Sequence, residues 1–431
     1  MKNTAICATL LLAGLPASFA TAQPDTAHIQ PLSVAPPSSK ELAAKAMSWL
    51  REQQDKEVGG WSINAKGPTF PAITALVVSG MLANGVDAGD PAVAAGLKFI
   101  LSKQQPDGGI YDKLLPSYNT AICLSALGRL KNPDAATKAA MLKAQQFLKG
   151  LQFGEEAMGG EGNAEKVGKD HPFYGGFGYG SHGRPDLSNT AWALEGLHAS
   201  GLSEQDVAFQ RALVFLQRCQ MLEKTPDGKT VNDMPYAKGS HQGGFVYATA
   251  ENKDTAGKGQ TQSNEISETL TDGTNANRLR CYGSMTYSGL KSYLYAGLKK
   301  DDPRVQAAMD WIRSHYELRW NAGMPSEAEG GKPGQQTDGM YYYYVVFARA
   351  LRAYGESTVQ TVGSDGQRTP RAWRQDLASQ LATLQNADGS FRSVDDRWME
   401  NNPVLITAYS LIALGEASES GGGAETAPSA R

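Results

Sequence analysis

The chain of 431 residues repeats one two-part unit six times. In each copy an amphipathic stretch ends near a Gln or Leu, a Gly-rich turn with a large apolar residue follows, and a second helix-like stretch comes next. The clearest copies are Gln53-Gln54 before Gly59-Gly60-Trp61, Gln104-Gln105 before Asp107-Gly108-Gly109-Ile110, and Gln385 before Asp388-Gly389-Ser390-Phe391. One helical pair of this kind cannot bury its apolar face alone, so the copies must stack or close into a ring.

The two stretches of each copy differ in polarity, and this difference predicts where each lies. The first has a charged and an apolar face, which is typical of an outer helix. We predict outer helices over residues 40–54, 91–105, 133–151, 204–221, 303–316 and 371–385. The second stretch is nearly apolar all round, which is typical of a helix buried on both sides. We predict inner helices over residues 71–84, 118–130, 186–199, 282–297, 337–354 and 402–415. The fold class predicted is therefore all-α, with two concentric barrels.

The ends of the chain lie outside this repeat. Lys2, an apolar run from Ala5 to Leu15 and the small residues Ala20-Thr21-Ala22 predict a secretory signal peptide over residues 1–22. Residues 23–39 are rich in Pro and Ser and indicate a linker, and residues 416–431 indicate a disordered tail. We therefore expect one closed domain over residues 40–415, exported to the periplasm or the extracellular space.

Composition excludes several classes of partner. The formal net charge of −3, without blocks of like charge, indicates no nucleic-acid partner. After the signal peptide no stretch reaches about 18 apolar residues, so no transmembrane segment is predicted in the mature chain. Cys123, Cys219 and Cys281 remain, and an odd number at wide spacing indicates no disulfide framework.

Two long polar insertions, residues 154–185 and 225–280, separate an outer from an inner helix. Both are rich in Gly, Asn, Thr and Lys, and Gly244-Phe245-Val246-Tyr247 reads as a short strand. In a ring they collect on one face, where they serve either as lids or binding loops or as surface decoration.

The turn motif Gln-x-x-Asp-Gly-aromatic, in register with the helices, resembles the α/α-toroid superfamily. That superfamily includes squalene and other triterpene cyclases and protein prenyltransferase β-subunits, and the resemblance covers about residues 40–415. It implies an α/α toroid of six outer and six inner helices. The chain most resembles secreted bacterial proteins with prenyltransferase and squalene oxidase repeats, which mostly have no assigned reaction. The phrases that carry this likeness are Arg184-Pro185-Asp186-Leu187-Ser188-Asn189-Thr190, Tyr282-Gly283-Ser284-Met285-Thr286-Tyr287 and Asp338-Gly339-Met340-Tyr341-Tyr342-Tyr343-Tyr344.

The acid motif of class II terpene cyclases is altered in this chain. Those enzymes protonate an alkene with the middle carboxyl of Asp-x-Asp-Asp-Thr-Ala at the start of an inner helix. The matching stretch here is Asp186-Leu187-Ser188-Asn189-Thr190-Ala191. Ser188 takes the place of the proton donor, and a serine hydroxyl is far too weak an acid for that step. We therefore predict that cyclisation by this route is lost.

The zinc site of protein prenyltransferases is also incomplete. Its ligands are Asp and Cys of an Asp-x-Cys-Tyr motif and a His from a later inner helix. Cys281-Tyr282 matches the Cys-Tyr part, Leu279 stands at the Asp position, and the predicted helix after Asp338 contains no His. We predict no metal site and no cofactor.

The starts of the inner helices are rich in aromatic residues, which either pack in the core or form the wall of a binding funnel. The predicted ligand-binding residues are Tyr118, Asn119, Asp186, Asn189, Tyr282, Tyr287, Tyr341, Tyr342 and Trp398. If a reaction is catalysed, the weak candidates for its acid are Asp338, Asp395 and Glu400.

Three functions stay open. The first is a toroid that binds an apolar or isoprenoid-like small molecule, or a protein partner of the cell envelope, without turnover. The second is a terpenoid cyclase or transferase that uses a non-standard acid. The third is a polysaccharide-active enzyme, which needs paired carboxylates at the funnel mouth. No such pair is evident from the spacing, so this function ranks last.

Overall fold

The computed structural model describes residues 37–63, 68–155, 166–180, 183–250 and 259–418. The predicted signal peptide lies outside these residues, as do nearly all of the linker and most of the predicted tail. Twelve α-helices form in the described part of the chain. They correspond one to one with the twelve predicted helices.

The outer helices are amphipathic, and most begin at a side chain that caps their first turn. Ser38 and Glu41 form a capping box at the first, and Asp90, Asp134, Asp206 and Asp302 each accept hydrogen bonds from backbone N–H groups at the next four. The outer helices are α1 (Ser39–Glu52), α3 (Pro91–Ser102), α5 (Ala135–Gly150), α7 (Val207–Cys219), α9 (Pro303–Ser314) and α11 (Trp373–Leu384).

The inner helices are buried on nearly every side. They are α2 (Pro71–Ala83), α4 (Pro116–Gly128), α6 (Leu187–Ala199), α8 (Gly283–Tyr295), α10 (Met340–Tyr354) and α12 (Pro403–Ala417). The last one continues beyond residue 415, where the tail was predicted to begin. Buried Glu416 and Ala417 hold this end in the fold.

The inner helices close a ring. Each packs against the next in chain order, and α12 packs against α2 to complete the circle. Each outer helix contacts the inner helix of the preceding copy, and α1 packs against α12 of the last copy. The helices α7 and α11 pack more extensively against the inner helix of their own copy. The first helix of the chain is therefore held by the final repeat.

The recurring Gln explains how neighbouring copies are joined. Gln220 donates through Nε2 to Gly243 O of its own turn at 2.8 Å and to Arg304 O at the start of the next outer helix at 2.9 Å. Gln54, Gln104 and Gln152 make the same pair of bonds in their copies. Gln385 bonds to Leu42 O of α1 and thereby links the last copy to the first.

The turn residues are equally explained by the ring. Thr74, Thr120, Thr190, Thr286 and Thr407 of the inner helices each accept a hydrogen bond from the backbone N–H of the large apolar turn residue. Gly175 has φ +85°, and a Cβ there would lie 1.9 Å from Arg211 O of the next outer helix. Only glycine fits such a position.

Two short antiparallel hairpins accompany the helices. β1 (Glu265–Thr269) pairs with β2 (Asn275–Leu279) inside the second insertion. β3 (Val359–Val362) pairs with β4 (Arg368–Arg371) between α10 and α11, a hairpin that the sequence did not predict. The predicted strand at residues 244–247 is instead an irregular segment with one bridge from Phe245 to Gln220.

Candidate functional site

The inner helices are buried in their middle turns. Near the starts of α4, α6 and α10, Tyr118, Ser188 and Tyr342 keep part of their surface accessible. We call the space enclosed by the inner helices the funnel and the end where these helices begin the mouth.

Tyr342 faces the funnel. Its hydroxyl accepts a hydrogen bond from Ser188 Oγ at 3.3 Å and lies 3.2 Å from Ser288 Oγ. Because α6 and α10 are separated by α8 in the ring, a contact between Ser188 and Tyr342 has to cross the interior. Of the four consecutive tyrosines, Tyr342 is therefore the one on the funnel wall.

The other three tyrosines of this run pack into the protein. Tyr343 donates to Glu317 O at 2.6 Å and Tyr344 to Leu318 O at 2.9 Å, so both hydroxyls support the turn before α10. Tyr341 packs edge-on against Phe391, with ring centroids 6.0 Å apart. Its role in ligand binding stays a prediction.

Further tyrosines continue the wall. Tyr118 stacks on Tyr179 and meets Trp192 edge-on, with ring centroids 6.3 and 6.2 Å apart. Tyr342 approaches Tyr409 of α12 at 6.4 Å. Burial raises the pKa of Tyr118 well above its usual value, so its hydroxyl stays protonated.

Asp186 and Asn189 form a buried pair at the start of α6. Asp186 caps the helix by accepting from the Asn189 N–H at 2.8 Å, and it also accepts from Asn189 Nδ2 at 2.8 Å. Burial raises the pKa of Asp186 to about 6, against the effect of these hydrogen bonds. The pair holds the position where a cyclase has its acid motif, but its geometry is that of a helix cap.

Three of the other predicted ligand-binding residues have mainly structural contacts. Asn119 Oδ1 accepts from Ala72 N, and Asn119 Nδ2 donates to Leu114 O and Leu115 O. Tyr287 is fully buried, and its ring packs 4.9 Å from that of Phe347. Tyr282 is 2% exposed and precedes α8.

The predicted acids Asp338, Asp395 and Glu400 come together near the start of α10. Burial raises the pKa of Asp338, the negative charge of Asp395 adds to this, and Arg397 opposes it at a distance of 3.4 Å from Asp338 Oδ2. Arg397 also donates to Gln262 Oε1 of the second insertion at 2.7 Å. Exposed Trp398 lies beside this cluster, with its ring centroid 4.6 Å from the Arg397 guanidinium.

Glu400 caps α10, whose own N-cap residue, Gly339, has no side chain. Its two carboxyl oxygens accept from Tyr341 N at 3.1 Å and Tyr342 N at 2.9 Å. Burial raises its pKa to about 8, the two hydrogen bonds oppose this rise, and the charges of Asp395 and Asp338 add to it. With 1% of its surface exposed, Glu400 holds the backbone of Tyr342 in place.

Charged side chains in the later turns of α6, α8 and α10 meet inside the ring, and sequence reasoning missed them. Glu195 binds Lys291 and Arg349, and Ser125 Oγ donates to it at 2.8 Å. Burial favours the neutral acid, but Arg349 and Lys291 prevail and lower the pKa of Glu195 to about 2. We call Glu195, Lys291 and Arg349 the floor. In the sequence, the floor is visible only as one charged residue within each of three largely apolar helices.

No metal centre appears among the described residues, where no group of three or more His, Cys, Asp or Glu is placed to hold an ion. His28 and His182 lie outside these residues. Burial raises the pKa of Cys281 well above its usual value, which disfavours the thiolate that zinc requires. Within the same part of the chain, no helix is both long and apolar enough to cross a bilayer.

A closed ring of alternating outer and inner helices defines the class of protein as an α/α toroid. Residues 66–239 match the family described as the squalene-hopene cyclase C-terminal domain. The match covers less than half of the chain, and together with the closed ring it confirms the predicted fold class and the predicted resemblance to the α/α-toroid superfamily.

Solved structures agree with this fold. An α-amylase from Clostridium perfringens is 11% identical with a TM-score of 0.50, and the match covers 89% of this chain and 100% of that one. D-mannose isomerase is 9% identical with a TM-score of 0.50, over 88% and 96% of the two chains. A type II terpene cyclase from Scytonema is 13% identical over 88% and 97% of the two chains, and its TM-score of 0.43 is too low to bear on the fold. Such identities concern the fold alone, and no curated protein sequence matches the chain.

Proposed function

We propose that this chain is an exported binding toroid that takes an apolar, isoprenoid-like small molecule into its funnel. The ligand enters at the mouth and lies along the tyrosine wall. Export rests on the signal-like first 22 residues of the sequence.

The observation that carries this proposal is the partial exposure of Tyr118, Ser188 and Tyr342 near the starts of inner helices whose middle turns are buried. Aromatic faces offer large apolar contact area, and a few hydroxyls orient a ligand among them. The wall thus suits an apolar chain with a hydrogen-bonding group.

The known cyclase chemistry is not part of the proposal. Ser188 stands where the proton donor is expected, and its hydroxyl is engaged with Tyr342. Glu400 has the raised pKa of a proton donor, but it is buried and both its oxygens bind backbone N–H groups.

Binding is tested by titrating the purified protein with farnesol and following tryptophan fluorescence, since Trp192 lies against Tyr118. We expect saturable binding that Tyr118→Ala weakens about tenfold or more, which corresponds to about 1.4 kcal/mol or more. Tyr111→Ala is the matched control, because Tyr111 stacks on Phe147 outside the ring of inner helices. Equal affinities of the two variants, or no saturation, would contradict binding in the funnel.

A second candidate is a terpenoid cyclase or transferase that uses a non-standard acid. The meeting of Asp338, Asp395 and Glu400 beside Tyr342 favours it, since burial and the nearby charge of Asp395 raise the pKa of both Asp338 and Glu400. Mass analysis after incubation with squalene or polyprenyl phosphates tests this function. A new product that disappears in Asp338→Asn would support it over turnover-free binding.

The same carboxyls keep the polysaccharide-active function open, because they provide a pairing that the sequence spacing had not revealed. Release of shorter sugars from linear oligosaccharides, again lost in Asp338→Asn, would favour that function. Capture of an envelope protein without any small-molecule binding would favour a scaffold role.

A further inference from the structure

Trp192 has an unused hydrogen-bond donor close to the floor. The residue is 2% exposed, and its Nε1 has no hydrogen-bond partner among the described residues. The Trp192 ring centroid lies 5.5 Å from Lys291 Nζ and 5.1 Å from the Arg349 guanidinium carbon. A buried N–H without an acceptor is costly, so a ligand that supplies an acceptor at Trp192 Nε1 would be stabilised there.

The charges around the floor are unequal. Glu195 forms ion pairs with both Lys291 and Arg349. The next carboxylate, Glu416, lies 3.7 Å from Arg349 Nε but also pairs with Arg129 and Arg352. Four cations thus share two carboxylates. Arg129 and Arg352 reach solvent in part, whereas Lys291 and Arg349 are nearly fully buried. Burying cations without full compensation is unfavourable, and one more anion would relieve it.

The floor is continuous with the tyrosine wall. Trp192 meets Tyr118 edge-on, with ring centroids 6.2 Å apart, and the same Trp192 ring lies next to the Lys291 and Arg349 cations. A molecule that lies along Tyr118 therefore ends near Trp192.

We propose that the floor is an anion site and that the ligand is an amphiphile whose terminal carboxylate lies against Trp192, Lys291 and Arg349. This inference rests on the proposed binding function and specifies its ligand class. The carboxylate accepts from Trp192 Nε1, and the apolar chain runs back along Tyr118 towards the mouth.

The test compares farnesoic acid with farnesol, which share a chain and differ in the charged end. At pH 7 we expect the acid to bind the full-length protein about tenfold tighter than the alcohol or more, as hydrogen bonds to charged groups imply. Trp192→Phe keeps an aromatic ring and removes the donor, so in calorimetric titrations, which do not depend on the Trp192 signal, it should weaken binding of the acid far more than that of farnesol and erase most of this preference. Trp49→Phe in the outer helix α1 is the matched control and should retain the preference.

Equal affinity for acid and alcohol, or an equal loss of both in Trp192→Phe, would overturn the anion site and leave the binding function standing. If neither probe binds, the proposed function fails. The anion site is then tested independently by soaking crystals of the protein in bromide. An anomalous peak within hydrogen-bond distance of Trp192 Nε1 would support the anion site, and an empty site would overturn it.

Discussion

Ser188 and Tyr342 meet across the interior of the ring, where Ser188 Oγ donates a hydrogen bond of 3.3 Å to the Tyr342 hydroxyl. Ser188 stands at the place of the cyclase proton donor, and this contact shows what replaces it. The position has become part of a neutral hydroxyl network that also includes Ser288. The hydroxyls of such a network donate and accept hydrogen bonds, but they are far too weakly acidic to protonate an alkene.

Tyr342→Phe should weaken farnesol binding with little effect on stability, since its ring remains and the lost hydrogen bonds are those to the hydroxyls of Ser188 and Ser288. One neutral hydrogen bond corresponds to about 0.5–1.5 kcal/mol. Tyr343→Phe is the contrasting control, because the fully buried Tyr343 hydroxyl donates to Glu317 O. That variant should lose about 1–2 kcal/mol of stability and keep its affinity. Titration and urea unfolding of both variants measure the two effects, and the reverse pattern would place Tyr342 in the core.

Gln220→Ala should be strongly destabilising. Gln220 is fully buried, donates to Gly243 O and Arg304 O, and accepts from the Tyr293 hydroxyl at 2.9 Å. Losing three buried bonds costs roughly 2–4 kcal/mol. The exposed Gln210 of α7 is the control, and Gln210→Ala should change the free energy of unfolding by about 0.5 kcal/mol or less. Similar values for both variants in urea unfolding would refute the role of the recurring Gln.

The floor should make the fold sensitive to acid. Arg349 and Lys291 lower the pKa of Glu195 to about 2 despite its burial. A carboxyl with a lowered pKa in the folded state stabilises the fold above its unfolded pKa, and this contribution is lost as pH falls towards 2. Glu195→Gln should cost about 3–5 kcal/mol at pH 7, because it leaves two buried cations without their carboxylate. It should also flatten the decline in stability between about pH 4.5 and 2. Unfolding measured across this range tests both effects, and an unchanged slope would contradict the account.

Glu400 should make the folded state less stable as pH rises, whereas Glu195 makes it less stable as pH falls. Burial raises its pKa to about 8, so the folded state holds a proton that the unfolded state releases above about pH 4.5. The stability contributed by the protonated acid is therefore lost as pH rises from about 4.5 to 8. Glu400→Gln should flatten the decline over this window, with Glu57→Gln in an exposed turn as the control. If this decline in stability persists in Glu400→Gln, other groups are its cause.

The ring could be predicted from the sequence because every copy contains the same short motifs. Caps such as Asp90, the Gln that joins copies and the glycine of each turn all act over short distances or repeat in register, and their pattern is visible without coordinates. The end of α12 was predicted too early, because Gly415 looked like a stop and the ion pairs that hold Glu416 come from α4 and α10.

The site was predicted less completely, for a physical reason. Asp338, Asp395 and Glu400 were named one by one, but their meeting depends on the closure of the ring. The floor joins Glu195 to Lys291 and Arg349, about 100 and 150 residues further along, and no short-range pattern links them. Each looked like a polar exception in an apolar helix.

The most direct test of the central claim is a titration with farnesol, together with mass analysis of the same samples. The account predicts saturable binding that depends on Tyr118 and Tyr342, with farnesol recovered unchanged. The absence of binding, or the appearance of a new product that requires Asp338, would contradict it.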